Sequence, residues 1–578
     1  MISTHEVANQ VPPRTDVDEF AANAPLVEAV ARWGRAAHGA SADAAPADGS
    51  GASADAAPAE GSGASADLHA IGRLVGSPDF QRDAERANTR PPVLHSHDRW
   101  GRRIDEVEYD DAYHRVIAAA VGAGAHTSAA ADPGPGANVD RAAAFLLFAQ
   151  VEPGHACPVS MTHAAAPVLE HAASGLRDEW MPRLLSRAYE PDLVAGKASA
   201  LVGMAMTEKQ GGSDVRANTT RAERRGGEGD GGSGSWGAEY GLTGHKWFCS
   251  APMSDAFLVL AQAPSGLSCF FVPRVLPGGE RNAFRIQRLK DKLGNRSNAS
   301  SEIELEGTGG WLVGEEGRGV ATIVQMVTRT RLDCVIGTAA GMRQAVAEAA
   351  WHVRHRRAFG ALLVDQPAMA AVVADLAFES EAATLTAMRL ARAYDDDAGE
   401  GEQAFRRLAT AVAKYQVCKR GASHAAEALE CLGGNGYTEA FPLARRYREQ
   451  PLLAIWEGSG NVIALDVLRV LAREPRAFEA FFDEVGAAAG ASRAFDAALA
   501  EAVALVREVA TMDPDAAAGV ARELTERLAL VLQASLLLQY SPAPVAEAFV
   551  RSRLGREGGS QVGALPRGVD VAALLARA

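Results

Sequence analysis

A chain of 578 residues is too long for one hydrophobic core and reads as about three or four domains. Its 47% hydrophobic and 22% charged residues are those of a soluble globular protein, and a formal net charge of −14 excludes any chain-wide attraction to nucleic acid or anionic membrane. Arginine outnumbers lysine 51 to 7, which in a chain this rich in Ala and Gly reads as compositional drift before phosphate recognition.

The N-terminus, MISTHEVANQVPPRTDVDEF, has no basic segment followed by an apolar core. No window holds about 20 apolar residues without charge, so no membrane span is expected. The six cysteines (Cys157, Cys249, Cys269, Cys334, Cys418 and Cys431) form no metal-like spacing. A cytoplasmic protein with reduced, mostly buried thiols and no metal site is the expectation. Residues 39–67 repeat GASADAAPADGS, GASADAAPAEGS and GASAD. Lacking large apolar groups, this stretch cannot offset its ordering entropy and is expected to be a flexible insertion. From Leu68 to Leu201 the pattern is helical, as in AAAFLLF from Ala142, so residues 1–201 form an N-terminal helical domain. Over 202–312 come short alternating or fully apolar runs, among them LTGHKWFCS, AFLVLA, LSCFFVP and SEIELE. They predict a small all-β domain, with a mobile Gly/Ser-rich loop at Gly226–Gly237. Helical spacing returns after Gly317, giving a bundle over 313–471, and Phe495–Met512 and Ala517–Tyr540 predict two helices of an additional domain over 472–578. The fold class is therefore mainly α with a central β-domain.

Three segments place polar groups in apolar surroundings. The first, MAMTEKQGGSDV from Met204, describes either a close backbone approach to a ligand or an ordinary turn. The second is GHKWFCS from Gly244. The third is IWEGSGN from Ile455, in which Glu457 lies beside Trp456. A carboxylate against an indole loses hydration and becomes a stronger base when ionised. The same Glu457 also reads as a helix N-terminal acid favoured by the macrodipole.

Taken in order, with KLGNRSNASSEI from Lys292, LVGEEGRG from Leu312, RHRRAFG from Arg354 and LGGNGY from Leu432, these segments resemble the acyl-CoA dehydrogenase family over roughly residues 150–470. The strings MTEKQGGSDV, HKWF, RLKDKLGNRSNAS, KRG and IWEGSGN resemble more narrowly its AidB branch, flavoproteins of the bacterial response to DNA alkylation. The resemblance implies a helical N-terminal domain, a β-barrel-like middle domain and a C-terminal helix bundle, with additional C-terminal helices, assembled as a homotetramer with bound FAD. It implies that Met204, Ala205, Met206, Thr207, Gln210, Gly211, Gly212 and Ser213 form the flavin loop. Thr207 then meets the ring edge, Ser213 the pyrophosphate, and backbone N–H groups around the glycines the phosphates. Trp247 flanks the ring, with Phe248, Cys249 and Ser250 along its edge; the family often carries Thr where Cys249 stands. Arg356, Phe359 and Gln366 hold the adenine half of FAD in a neighbouring subunit. Gly433, Gly434, Ile455, Trp456, Gly458, Ser459, Gly460 and Asn461 complete the cofactor set, and Glu430 replaces the family's usual Gln. Glu457 falls on the catalytic carboxylate, which removes the α-proton of an acyl-CoA thioester.

In the AidB branch the extra helices are associated with double-stranded DNA. Residues 472–578 hold 11 Arg, no Lys and 14 Asp plus Glu, so this region is slightly acidic. Its local basic cluster is Arg551, Arg553 and Arg556, which reads either as a DNA-facing patch or as a solvated helix end. The alternative function is a metabolic acyl-CoA dehydrogenase without a DNA role.

Overall fold

The computed structural model describes residues 4–39, 63–225 and 234–578. They fall into two compact units: Asp79–Pro133 with Glu152–Asp333, and Met1–Pro78 with Gly134–Val151 and Cys334–Ala578.

The first unit contains a hairpin, β1 (Val93–His97) and β2 (Arg103–Glu108), where the pattern predicted helix. The turn explains the difference. Asp98 Oδ1 accepts from the backbone N–H of Trp100 and Arg102 at 2.8 and 2.9 Å, and Gly101 takes a φ of +80°. Local turn chemistry thus outweighs the helical spacing around it. Seven further strands form one sheet: β3 (Val202–Ala205), β4 (Arg221–Arg224), β5 (Glu239–Ser250), β6 (Ala256–Ala263), β7 (Gly266–Pro273), β8 (Phe284–Leu289) and β9 (Ser300–Val313). The ladder β6–β4–β5–β9–β7 returns to β6 and closes a small barrel, with β3 added to β6 and β8 to β9. Strands β6 and β7 are almost wholly apolar and almost wholly buried. Phe257 and Phe284 stack at 5.0 Å between ring centres in the same core that buries Phe270 and Phe271.

Of the loop expected to be mobile, residues 226–233 lie outside the described residues. Its far end is fixed. Trp236 is buried, packs edge-on against Trp311 at 4.9 Å, and donates from Nε1 to Glu179 at 2.8 Å.

The second unit is helical. The helix expected from Ala517 starts earlier, at Pro514, because Asp513 accepts from the N–H groups of Asp515 and Ala516 and Pro stands at the first position. Residues 472–578 group with the bundle of helices Pro367–Arg392, Glu400–Glu430, Pro442–Leu453 and Gly460–Arg473. Ion pairs account for that docking. Arg389 on Pro367–Arg392 forks to Glu402 at 2.9 Å and to Glu484 at 2.7 Å, joining three helices. Arg553 pairs with Asp375 and Glu379, while Arg577 bridges Glu28 and Glu381 at 2.8 and 2.6 Å. Of the repeat, residues 40–62 lie outside the described residues, but Gly63–Asp67 begin the helix Gly63–Val75 instead of continuing a flexible insertion. The buried Leu68, Ile71 and Val75, three and four apart, form the helical face that carries them.

All six cysteines are buried. No helix among the described residues is long and apolar enough to cross a membrane, and none of these residues form a cluster of three metal-ligating side chains.

Two buried carboxylates set an acid limit for the two units. Burial alone would raise Glu152, but the hydrogen bond and charge of His155, with Ser297 Oγ at 2.5 Å, hold it at about 2. Burial would likewise raise Glu379, yet the charges of Arg553 and Arg420 hold it at about 2. Each folded-state value lies below the unfolded value of about 4.3, so each contribution is present in full above that pH and lost as pH falls towards 2. At ~1.4 kcal/mol per unit this is of order 3 kcal/mol for each group. Asp140, pushed up to about 6 by burial, opposes the helical unit's loss by gaining stability as pH falls from 6. Urea unfolding at pH 7, 4 and 2.5 should therefore show a steep loss only below pH ~4, flattened in Glu152→Gln for the β-rich unit and in Glu379→Gln for the helical one.

Candidate active site

The β-rich unit holds the glycine loop. Met204 and Ala205 end strand β3, and the chain then turns at Glu208–Gly211, with Gly211 N–H donating to the Glu208 carbonyl at 3.0 Å. Gly211 has a φ of +145° and open space beside it, and a Cβ on Gly212 would lie 2.3 Å from Thr207 Oγ1. Both glycines are thus required, one by conformation and the other by contact with Thr207. Ser213 is exposed, and Gln210 Nε2 donates to Ala217 O at 3.0 Å and to Glu208 at 2.9 Å.

Glu208 is the anchor of this loop. Its side chain is fully buried and ion-paired to Lys246 Nζ at 2.8 Å, itself fully buried. It also accepts from the N–H and Oγ1 of Thr219 (2.7 and 2.9 Å) and of Thr220 (3.1 and 2.6 Å). Burial would raise this carboxyl, but the hydrogen bonds of Lys246 and Thr220 and the lysine's charge outweigh it and hold Glu208 well below the usual carboxylate range. Lys246 spends a second hydrogen bond on Leu260 O at 2.7 Å.

From Lys246 the strand departs from alternation. Lys246 pairs with Ile303 and Cys249 with Ser301, so Trp247 and Phe248 together oppose the single residue Glu302. This β-bulge leaves both Lys246 and Cys249 buried while Trp247 is part-exposed and Phe248 is 49% exposed. Cys249 is fully enclosed, and burial pushes its thiol up to about 12. Ser250 is part-buried, with its Oγ 3.3 Å from that of Ser300. Trp247 N–H donates to Thr207 O at 2.8 Å, so the bulge and the glycine loop are directly joined. Lys290 Nζ lies 3.3 Å from the Trp247 ring centre and pairs with Glu302 at 2.6 Å. A part-exposed indole, an open glycine turn and adjacent cations fit a planar ring with an anionic chain.

The helical unit holds the remaining candidates. Arg357–Ala358 and Ala361–Leu362 form a two-residue hairpin whose tip, Phe359–Gly360, has φ of +51° and +84°. Phe359 is 98% exposed in that conformation, which a bulky residue rarely adopts. The hairpin is braced by Gln366 Nε2 donating to Ala358 O at 2.9 Å and by the Asn9 amide, which bonds the Arg357 N–H and C=O, each at 2.9 Å. Arg356 donates to Asn9 O. Gly433 and Gly434 are exposed in a short 3₁₀ turn, Gly433 with φ +60°. Ile455 is 63% exposed, Trp456 part-buried, and Glu457 and Gly458 have φ of +58° and +112°. Ser459 caps the helix Gly460–Arg473 by position, and Asn461 Oδ1 receives Arg522 Nη1 at 3.5 Å.

Known proteins place this arrangement. Residues 9–191 match the N-terminal domain of the adaptive response protein AidB, 203–308 the acyl-CoA dehydrogenase middle domain, and 317–472 the acyl-CoA dehydrogenase C-terminal domain. AidB of Escherichia coli (strain K12) is 44% identical over 559 residues, 96% of this chain and 95% of that protein. The chain belongs to the acyl-CoA dehydrogenase family, in its AidB branch. The family is one of oxidoreductases, and the fold follows it. Caenorhabditis elegans ACDH-11, solved in complex with C11-CoA, superposes with a TM-score of 0.82 at 24% identity, covering 95% of this chain and 93% of that one. The Bacillus anthracis acyl-CoA dehydrogenase solved with FAD has a TM-score of 0.63 at 17% identity, over 77% and 81% of the two chains.

Glu208, Lys246 and Lys290 escaped the sequence reading. A Glu inside the loop and a Lys one residue before the Trp look like solvated charges; only closure of the barrel buries them. For the exposed tip, Phe359→Asn should relieve the left-handed strain and stabilise the chain by about 0.5–1 kcal/mol in thermal unfolding.

Proposed function

We propose that this chain is an FAD-containing AidB-type acyl-CoA dehydrogenase homologue that acts as a cytoplasmic homotetramer. The observation that carries the reading is the hydrogen-bonded pairing of Thr207 with Trp247, which sets the glycine turn beside a part-exposed indole. Thr207, Gly211, Gly212 and Ser213 would hold the cofactor's ring edge and phosphates, and Trp247 would flank its ring. Phe359, at the exposed tip of its hairpin, with Arg356 and Gln366 flanking that hairpin, would serve the FAD of a neighbouring subunit. FAD supplies the hydride acceptor when bound. Glu457 takes the α-proton of an acyl-CoA thioester at its carboxylate, while the β-hydride leaves with its electron pair and a Cα=Cβ bond remains. The test is spectral: purified protein should show bound oxidised flavin that bleaches anaerobically with a short branched acyl-CoA. A protein that cannot take up FAD overturns the reading.

The relation to AidB supports a second element, binding of double-stranded DNA and protection against alkylation damage. The competing reading, a metabolic dehydrogenase without a DNA role, draws on the pairing of the local arginines. Arg551 is paired to Glu547 and Glu557, at 3.1 and 2.8 Å, and Arg553 is occupied by Asp375 and Glu379. Titration of duplex binding against salt separates the two. Phosphate contacts give a log–log slope of about −0.9 per contact, whereas no binding at low salt leaves the metabolic reading.

A further inference from the structure

We infer that Lys414 is the positioning residue of the Glu457 loop, an inference that rests on Glu457 being the base. Lys414 lies in the middle of helix Glu400–Glu430 and is 1% exposed. Its ammonium donates to the carbonyl of Gly458 and, at 3.4 Å, to that of Ala454. These two carbonyls bracket Ile455, Trp456 and Glu457. One buried cation therefore ties both ends of the segment that presents the carboxylate.

The segment needs such a tie. Glu457 and Gly458 take consecutive positive φ values, +58° and +112°. Glycine adopts these freely, but for a glutamate such a conformation persists only where its surroundings over-determine it. Helix Pro442–Leu453 ends just before, at Ala454, so its last carbonyls need donors, and Lys414 supplies one. A helix-capping role alone would explain the bond to Ala454. It does not explain the bond to Gly458, which lies on the far side of Glu457. Beyond Gly458 the motif is held separately: Arg522 Nη1 reaches Asn461 Oδ1 at 3.5 Å, and Arg522 Nε donates to Tyr415 Oη at 3.1 Å. Removing the lysine's charge therefore frees residues 454–458 while leaving 459–461 in place.

The experiment compares Lys414→Met, Lys414→Gln and Lys414→Arg with the parent as full-length protein with FAD added. Hydrogen exchange is read first, because it needs no turnover. In Lys414→Met, amides in peptides covering 454–458 should exchange about tenfold faster while those of helix 400–430 keep their protection. Lys414→Gln, which keeps a donor, should lie between and serves as the test if the Met variant does not fold. The limiting rate of flavin bleaching by acyl-CoA should fall about 100-fold in Lys414→Met, with the thioester's Kd within about twofold, and Lys414→Arg should recover part of the rate. Unchanged exchange at 454–458 in a folded variant overturns the inference, as does a rise spread evenly over the bundle. A parent protein that binds FAD but never bleaches overturns the role of Glu457 instead, and the exchange result then stands alone for Lys414.

Discussion

Glu457→Gln is expected to keep the yellow colour of bound FAD and to lose bleaching by short branched acyl-CoA by about 10³-fold in rate, within the usual range for removing a general base. The amide has the size and hydrogen-bonding reach of the carboxylate but cannot accept a proton at neutral pH, so binding and chemistry separate. The backbone carries the prediction as much as the side chain. Glu457 has a φ of +58°, and a glutamate kept in the left-handed region where glycine costs less points to a need for its carboxylate. The measurement is anaerobic stopped-flow reduction alongside an absorbance spectrum. Bleaching at the parent rate would sink the assignment of the base, and a colourless variant would assign Glu457 to cofactor retention.

Glu208→Ala is expected to be the most damaging substitution in the β-rich unit, at about 3–5 kcal/mol, because it leaves a buried ammonium without its counter-ion. Lys246 would keep only Leu260 O, and the N–H and hydroxyl groups of Thr219 and Thr220 would lose their acceptor. The loop that Glu208 anchors carries Thr207, Gly211, Gly212 and Ser213, so FAD retention should fall with stability. Glu208→Gln should be milder, since it keeps an acceptor for Thr219 and Thr220. The paired change Glu208→Met with Lys246→Met should recover much of the loss, as apolar replacements of buried ion pairs often do. Urea unfolding of the three variants with flavin content measured in parallel decides the matter. A Glu208→Ala protein as stable as the parent would show that the pair does not hold the loop. The linkage has a definite sign: the folded-state pKa of Glu208 is depressed, so the pair's contribution is present above pH ~4.3 and disappears only as pH falls through that lower value.

Much of the molecule was legible in one dimension because its physics is local there. The runs AFLVLA and LSCFFVP, short, apolar and bounded by turn residues, read as strands covered on both faces, and they became β6 and β7. The helix expected over Ala517–Tyr540 is present, begun a little earlier by the local cap of Asp513 and Pro514. The motifs around Thr207, Trp247 and Glu457 stand in an order that specifies the family. Where the reading departed from the structure, a non-local or turn-level effect was responsible. The hairpin at Val93–Glu108 depends on an Asp98–Gly101 turn that helical spacing does not register. The bulge opposite Glu302, which a strict alternation of HKWFCS would not produce, encloses the Cys249 thiol while Phe248 stays exposed.

What the sequence determined by itself is the architecture and the chemical inventory: helices, a β-domain, more helices, a glycine turn flanked by hydroxyls, and one carboxylate beside an indole. What only the tertiary structure decided is how charges are spent. Glu208 and Lys246 stand 38 residues apart and become one buried pair when the barrel closes. Arg553, which in sequence reads either as part of a basic patch or as a solvated helix end, pairs with Asp375 and Glu379 and ties the C-terminal segment to the bundle. Lys414 sits 44 residues from Gly458 and meets its carbonyl only because two helices pack. A residue's type states which bonds it can make, but burial and partner depend on contacts distant in sequence, and those set whether a charge is solvated, structural or available for chemistry.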